Sequence, residues 1–278
     1  MDDVGVLSTK DPGSVDASVR YINAEWRDRA EAPRIGSKES RRANTSFQAI
    51  TVHNARPRFE VGDIDLDRNG FTLSHNRSTV SDFRDDDEVR AKYHPQMQAL
   101  IERVTGADRT FVYNHLVRTE TPIDFNDGYA RFVHCDYNMA RLEEMSHGLL
   151  AQHGVTPRDG WSYAWYNTWQ PFDNPAYHNP LTCIDWQSLP EGDVIDYYYT
   201  GRGRESRVAA PVYNPDHRWC YFPEMSTEEV LILKQLDGRP GRACYCPHVS
   251  FDNKAVSEDL PPRRSIETRL LAVFENTG

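Results

Sequence analysis

His134 and Asp136 stand one residue apart in Val133-His134-Cys135-Asp136. On an extended strand residues i and i+2 share a face, so an imidazole and a carboxylate converge there. A histidine from another strand would complete a 2-His-1-carboxylate set. That set covers one face of an octahedral Fe(II) and leaves three positions open for substrate or oxygen. With 10 histidines and 25 aspartates in 278 residues, one His-x-Asp is expected by chance. The pair therefore means something only in company.

Company comes near the C-terminus. His248 closes Cys244-Tyr245-Cys246-Pro247-His248, and Arg263-Arg264-Ser265 follows fifteen residues later. Arg263 and Ser265 share a face if the chain is extended. A guanidinium and a hydroxyl together can hold a carboxylate, the first bidentately and the second by one more hydrogen bond. A thiolate zinc site from Cys220, Cys244, Cys246 and His248 is the competing metal reading, but Cys-x-Cys is not the usual knuckle and no second one follows. No Gly-x-Ser-x-Gly elbow or phosphate-cradling glycine loop is present, which disfavours hydrolase and nucleotide-binding readings.

The elements that must carry these residues are mostly strands. Thr110–Val117, Tyr129–Asp136, Trp161–Trp169, Val194–Thr200, Arg207–Tyr213, Arg218–Phe222, Val230–Lys234, Arg242–His248 and Ser265–Phe274 read as short strands separated by Gly, Pro, Asn and Asp. Asp63–Ser74 reads as a turn and strand around Asn69-Gly70. Helices are expected at Val15–Arg29, at Pro95–Val104, and at Met139–His153 ahead of Gly154. Many strands and few helices predict a mainly β fold, a barrel or jelly roll with supporting helices. The chain reads as one domain, 1–278, in which residues 1–60 form a polar, irregular or helical extension and 61–278 the core.

Lys and Arg number 32 against 42 Asp and Glu, a formal charge of −10. A net acidic chain without a basic run is a poor nucleic-acid binder. No apolar run approaches a membrane span, and the first residues carry no secretory signal. Five cysteines in a chain of this length fit a reducing compartment. The expected location is cytoplasmic.

Several ordered segments resemble the CmcJ/AsaB/NvfI-type family of non-heme iron oxygenases, which includes gibberellin-desaturase-like proteins. They are Asp67-Arg68-Asn69-Gly70-Phe71, Val104-Thr105-Gly106-Ala107, Tyr113-Asn114-His115-Leu116-Val117-Arg118, the His134-x-Asp136 segment, Asn167-Thr168-Trp169-Gln170-Pro171, Pro180-Leu181-Thr182-Cys183-Ile184-Asp185, Tyr221-Phe222-Pro223-Glu224-Met225 through Leu233-Lys234-Gln235-Leu236-Asp237, Pro247-His248-Val249-Ser250-Phe251, and Pro262-Arg263-Arg264-Ser265-Ile266-Glu267-Thr268-Arg269. They span roughly residues 60–275. The resemblance implies a double-stranded β-helix (jelly roll), Fe(II), and 2-oxoglutarate with O2 as cosubstrates. It makes His134, Asp136 and His248 the iron ligands. It makes Arg263 and Ser265 the clamp for 2-oxoglutarate, with Arg269 as the second choice of anchor. Gln170 departs from the family, which often has Arg at that position.

The implied activity is oxidation of an apolar small molecule in natural-product, meroterpenoid-like chemistry, by hydroxylation, desaturation or endoperoxide formation. A metal-dependent cupin-like enzyme without 2-oxoglutarate, or a non-catalytic binding jelly roll, are the alternatives. Tyr113, Arg118, Asn167, Trp169 and Tyr199 are the expected substrate-pocket residues, because an aromatic lining suits a ring-containing ligand. Ordinary barrel core is the competing explanation for each aromatic. Asn167 stands out, since a polar group amid an aromatic stripe needs a partner. The expected partners are that small molecule and, beyond it, a second copy of the chain in a homodimer. Nucleic acid and membrane insertion are not expected.

Overall fold

The computed structural model describes residues 13–121, 129, 131–201 and 205–275. Within them run thirteen strands: β1 (Val15–Ile22), β2 (Arg34–Ile35), β3 (Thr45–Asn54), β4 (Phe71–His75), β5 (Arg109–Arg118), β6 (Ser162–Pro171), β7 (Leu181–Ile184), β8 (Val194–Tyr199), β9 (Ser206–Pro211), β10 (Trp219–Tyr221), β11 (Glu229–Asp237), β12 (His248–Ser250) and β13 (Ser265–Phe274). One five-stranded sheet has the order β1-β3-β10-β7-β12 and a second β4-β11-β6-β13-β5, while β2, β8 and β9 form a small third sheet.

The two large sheets face each other. Cys183 and Cys220 of the first pack with Phe71, Leu73, Trp169, Leu231 and Leu233 of the second in one buried cluster. This is the expected jelly-roll core. The outer face of the second sheet is covered by the helix His94–Thr105. Its stripe of Met97, Leu100 and Ile101 meets Ala164, Tyr166, Ile266 and Leu270. Each such side chain contributes about 1.5–3 kcal/mol on full burial. The helix Leu142–Gln152 packs with Trp165, Leu236 and Leu271 at one end of the opposite face. Covered on both faces, β6 and β13 are buried almost throughout. That rigid platform carries Asn167, Trp169, Ser265 and Arg269. Among the described residues no helix is long and apolar enough to cross a membrane.

Four local expectations are corrected. Val15–Arg29 is no helix. Val15–Ile22 is β1, paired along its whole length with β3, and only Ala24–Trp26 turns. Val19, Ile22 and Trp26 imitate a helical stripe. Val15, Ala17, Val19 and Tyr21 alternate instead, and that face meets the apolar cluster containing Trp219 and Val249. For the same reason residues 15–54 are not an irregular or helical prelude, since β1 and β3 extend the sheet that holds β12. Arg242–His248 is not a strand either. Pro247 cannot donate to a ladder, and pairing starts only at His248, opposite Cys183. Tyr129–Asp136 is a run of isolated bridges, with residue 130 outside the described residues. Asn69-Gly70 does mark a turn, ending a short helix, Leu66–Asn69, before β4. Gly70 has φ 83°, and a Cβ there would lie 2.7 Å from the Tyr245 carbonyl oxygen.

Candidate metal centre

The segment 131–136 never becomes a regular strand because its neighbour changes at almost every residue. Val133 N donates to Arg20 O of β1, Cys135 N to Ala209 O of β9, and His134 exchanges both backbone hydrogen bonds with His248 of β12 at 3.3 and 3.1 Å. The reciprocal pair sets the two imidazoles side by side, with ring centroids 4.7 Å apart. Asp136 follows two residues later. One ligand atom from each of His134, Asp136 and His248 lies within 4.8 Å of the others. The distance from His134 Nε2 to Asp136 Oδ1 is 3.6 Å.

Surrounding groups aim the ligands. His134 Nδ1 donates to Phe132 O at 2.7 Å and His248 Nδ1 to Cys246 O at 3.0 Å. Both Nε2 atoms are thereby left as lone-pair donors, the usual device for fixing a metal-binding tautomer. Burial, reinforced by His248, pulls the His134 imidazole down to about 4, so it is neutral at physiological pH. Burial alone would raise the Asp136 carboxyl, but Arg269, His134, His248 and Asn167 outweigh it and hold the carboxyl well below the usual range. Arg269 Nη2 reaches Asp136 Oδ1 at 3.0 Å, and its Nε reaches Glu267 at 2.9 Å. Asn167 donates to Asp136 Oδ2, and Gln235 Oε1 accepts from Asp136 N at 3.2 Å. Two imidazoles and one carboxylate match the donor set a hard-to-borderline divalent ion such as Fe(II) takes. The His134 side chain keeps 21% of its surface exposed, which leaves the set approachable.

A second feature lies beside this one. Arg263 is 1% exposed, yet among the described residues no carboxylate is within ion-pair distance of it. Its Nη1 donates to Asn179 O at 2.5 Å and approaches Ser250 Oγ at 3.4 Å. Its guanidinium carbon lies 4.2 Å from the Tyr129 ring centroid and 5.5 Å from that of Trp169. Among the described residues Arg263 Nε and the buried Ser265 Oγ have no hydrogen-bond partner. Burial pulls the guanidinium down to about 9. A buried, unbalanced cation with an orphaned donor costs free energy unless an anion completes it. Ser250 is two residues beyond His248 on β12, so Arg263 lies close to the His134, Asp136 and His248 set.

The remaining expected residues fall in several places. Arg269 is not a free anchor, because Asp136 and Glu267 occupy it. Asn167 orients Asp136 and does not stand out in a pocket. Trp169 lies under Arg263. Arg118 is opposite Ser265 across β5 and β13 and has a partner of its own. Tyr113 is 49% exposed and meets Trp165 edge-on at 5.8 Å, one ring removed from Tyr137 and two from Arg269. Tyr199 packs in the small cluster around Tyr197, Ile35 and Val212. Gln170 points to the opposite face of β6. It accepts from Tyr93 Oη at 2.9 Å and donates to Asn76 O and Thr227 O, a structural role. The zinc reading fails among the described residues. Cys220 and Cys246 are buried with Cys183 in an apolar cluster, and the described metal-capable group is His134, Asp136 and His248.

Sequence reasoning missed Arg131, Asn179, Ser250, Gln235 and Glu267. Ser250 and Glu267 carried a usable signal, since each is two residues from a residue already singled out. The other three reach the site only through the fold.

Residues 19–274 match the family described as Oxidoreductase/YMDC permease-like domain. Hydroxylase/desaturase efuI of Hormonema carpetanum is 30% identical over 271 residues, covering 87% of this chain and 89% of the relative. The Fe(II)/2-oxoglutarate-dependent dioxygenase nvfI of Aspergillus novofumigatus is 27% identical over 237 residues, covering 82% and 84%. Among solved structures, the iron and alpha-ketoglutarate-dependent endoperoxidase NvfI superposes with a TM-score of 0.81 at 23% identity, over 95% of this chain and 99% of that one. The structural match establishes the jelly-roll fold. The chain belongs to this family of oxidoreductases.

Proposed function

We propose that this chain is an Fe(II)- and 2-oxoglutarate-dependent oxygenase that oxidises a small molecule of natural-product type. His134, Asp136 and His248 would hold the metal. Arg263 and Ser265 would hold the distal carboxylate of 2-oxoglutarate. The observation that carries this reading is the buried Arg263, unpaired by any described carboxylate and aimed beside a three-ligand set. Relatives named as an alpha-ketoglutarate-dependent dioxygenase and a hydroxylase/desaturase support it.

Bound there, Fe(II) with 2-oxoglutarate and O2 supplies the oxidising power for attack on a C–H bond, with 2-oxoglutarate converted to succinate and CO2. The chain's own groups position and shield. The Nδ1 bonds to Phe132 O and Cys246 O leave both Nε2 atoms available, and these would bind the metal. Arg269 and Asn167 each hold one oxygen of Asp136, fixing the carboxylate's orientation and its ionised state. Arg263 would hold one end of the cosubstrate and so limit the poses open to it. Trp169 and Tyr129 cover the guanidinium and exclude water. The reaction outcome, whether hydroxylation, desaturation or endoperoxide formation, is left to the substrate's pose.

The test is succinate formation from 2-oxoglutarate by the purified chain under O2 without added substrate. This slow turnover should require Fe(II), vanish in His134→Ala and fall sharply in Arg263→Gln. Undiminished turnover in His134→Ala would overturn the assignment.

A further inference from the structure

We infer that Arg131, with Asn179, forms a second carboxylate site next to the Arg263 anchor, and that the substrate oxidised here carries a carboxylate. The inference rests on the oxygenase reading and adds the substrate's chemical class.

Arg131 lies three residues before His134. Its backbone carbonyl accepts from Arg20 N of β1 at 3.1 Å, so its position is fixed by the sheet that fixes the metal ligands. Its Nη2 donates to Asn179 Oδ1. Its Nη1 is fully buried and has no hydrogen-bond partner among the described residues. Asn179 joins the two guanidiniums, since its side-chain oxygen takes Arg131 and its backbone oxygen takes Arg263 and Ser250 Oγ. The backbone of Asn179 is held at φ 50°, a left-handed conformation that asparagine tolerates better than most residues. The turn thus presents both of its oxygens to two cations at once.

Charge balance then asks for one more anion. Facing the centre are Arg131, Arg263 and Arg269 against Asp136 and Glu267. Arg118, which has an interaction of its own, also bears on Arg263 and adds to the positive side. The nearest acid acting on Arg131 is the exposed Asp252, which makes no ion pair with it among the described residues. A divalent metal and dianionic 2-oxoglutarate cancel one another, so the arginines still outnumber the acids, and Arg131 carries an unfilled donor. Two like charges drawn together at one residue, each with an orphaned buried N–H, are stable only with anions between or beside them. 2-Oxoglutarate supplies one distal carboxylate. A carboxylate on the substrate is the second, and it would fix which C–H bond faces the metal.

The experiment loads the protein with Mn(II) and saturating 2-oxoglutarate without O2 and titrates benzoate, then benzamide as the uncharged control, by calorimetry. Benzoate should bind and benzamide should not. Losing a charge-assisted pair should weaken benzoate about 10–100-fold in Arg131→Gln, with part of the affinity kept in Arg131→Lys. 2-Oxoglutarate binding to the Fe(II)-loaded variants, read from the visible charge-transfer band, should be unchanged, which also shows that they are folded. No benzoate binding by the parent, equal binding by Arg131→Gln, or loss of the 2-oxoglutarate band in Arg131→Gln would each overturn the inference. Absence of the band in the parent protein would instead bring down the oxygenase reading, and this inference with it.

Discussion

The buried Arg263 and the half-buried Arg269 point into the barrel from the approach to β13 and from β13 itself, and they differ in what balances them. Arg269 sits between two carboxylates, 3.0 Å from Asp136 and 2.9 Å from Glu267. Arg263 has a carbonyl, a hydroxyl and two aromatic rings, but no described carboxylate. Arg269→Met strands two buried anions, a loss of about 3–5 kcal/mol. For a chain of this size each kcal/mol moves Tm by about 2–4 °C, so the metal-free Tm should fall by roughly 10 °C. Arg263→Met acts differently. It removes a cation whose burial opposes folding by several kcal/mol. It also removes hydrogen bonds from a charged donor, worth about 1.5–3 kcal/mol, and a ring contact worth about 1–2 kcal/mol. These nearly cancel, and the metal-free Tm should stay within about 3 °C of the parent. Saturating Mn(II) and 2-oxoglutarate reverse the picture. A ligand at a hundred times its Kd adds about 2.7 kcal/mol, and Arg263→Met should lose the share due to 2-oxoglutarate. Differential scanning calorimetry with chelator, then with metal and cosubstrate, makes the comparison. If metal-free Arg263→Met falls as far as Arg269→Met, Arg263 is structural and the anchor argument fails.

Three further outcomes follow from the geometry. Asn167→Ala frees one oxygen of Asp136 and should weaken metal binding about 10–100-fold, measured by competition with a chromogenic chelator; unchanged affinity would contradict its orienting role. Gln170→Ala leaves Tyr93 Oη without its acceptor and the carbonyls of Asn76 and Thr227 without their Gln170 donor, costing about 1–3 kcal/mol, and the 2-oxoglutarate charge-transfer band should survive; loss of the band at intact stability would place Gln170 in the site after all. Burial, with His115 beside it, pulls His94 from 6.5 to about 4, so between those values the unfolded chain binds the proton and the folded chain does not. That contribution to stability is complete above pH 6.5 and is lost as pH falls towards 4; His94→Gln should flatten this part of the urea-midpoint profile, and an unchanged slope would refute it.

The sequence made the ligand set legible because the ligands are local or paired. His134 and Asp136 are two residues apart, and His248 sits at a recognisable strand start. Arg263-x-Ser265 was legible for the same reason. What stayed hidden depends on chain crossings. Asn179 lies 84 residues from Arg263 and 48 from Arg131, and nothing in its neighbourhood advertises that it gathers both. Arg269 was misread because strand parity shows which face a side chain shares but not what already occupies it. The β1 segment was misread because Val19, Ile22 and Trp26 fit a helical stripe, and only pairing with β3 settles the matter. β6 and β13 carry no clean alternation of apolar and polar residues because helices and the facing sheet bury both of their sides. The aromatic stripe there divides by position. Trp165 packs under a helix, and Trp169 lies under Arg263.

The central claim is that His134, Asp136 and His248 hold Fe(II) while Arg263 anchors 2-oxoglutarate beside it. Anaerobic Fe(II) titration with 2-oxoglutarate tests it most directly. The account predicts a weak visible charge-transfer band that saturates at one equivalent of metal per chain, vanishes in His134→Ala and needs far more 2-oxoglutarate in Arg263→Gln. A folded parent protein that binds Fe(II) without forming the band, or a band indifferent to both substitutions, would contradict it.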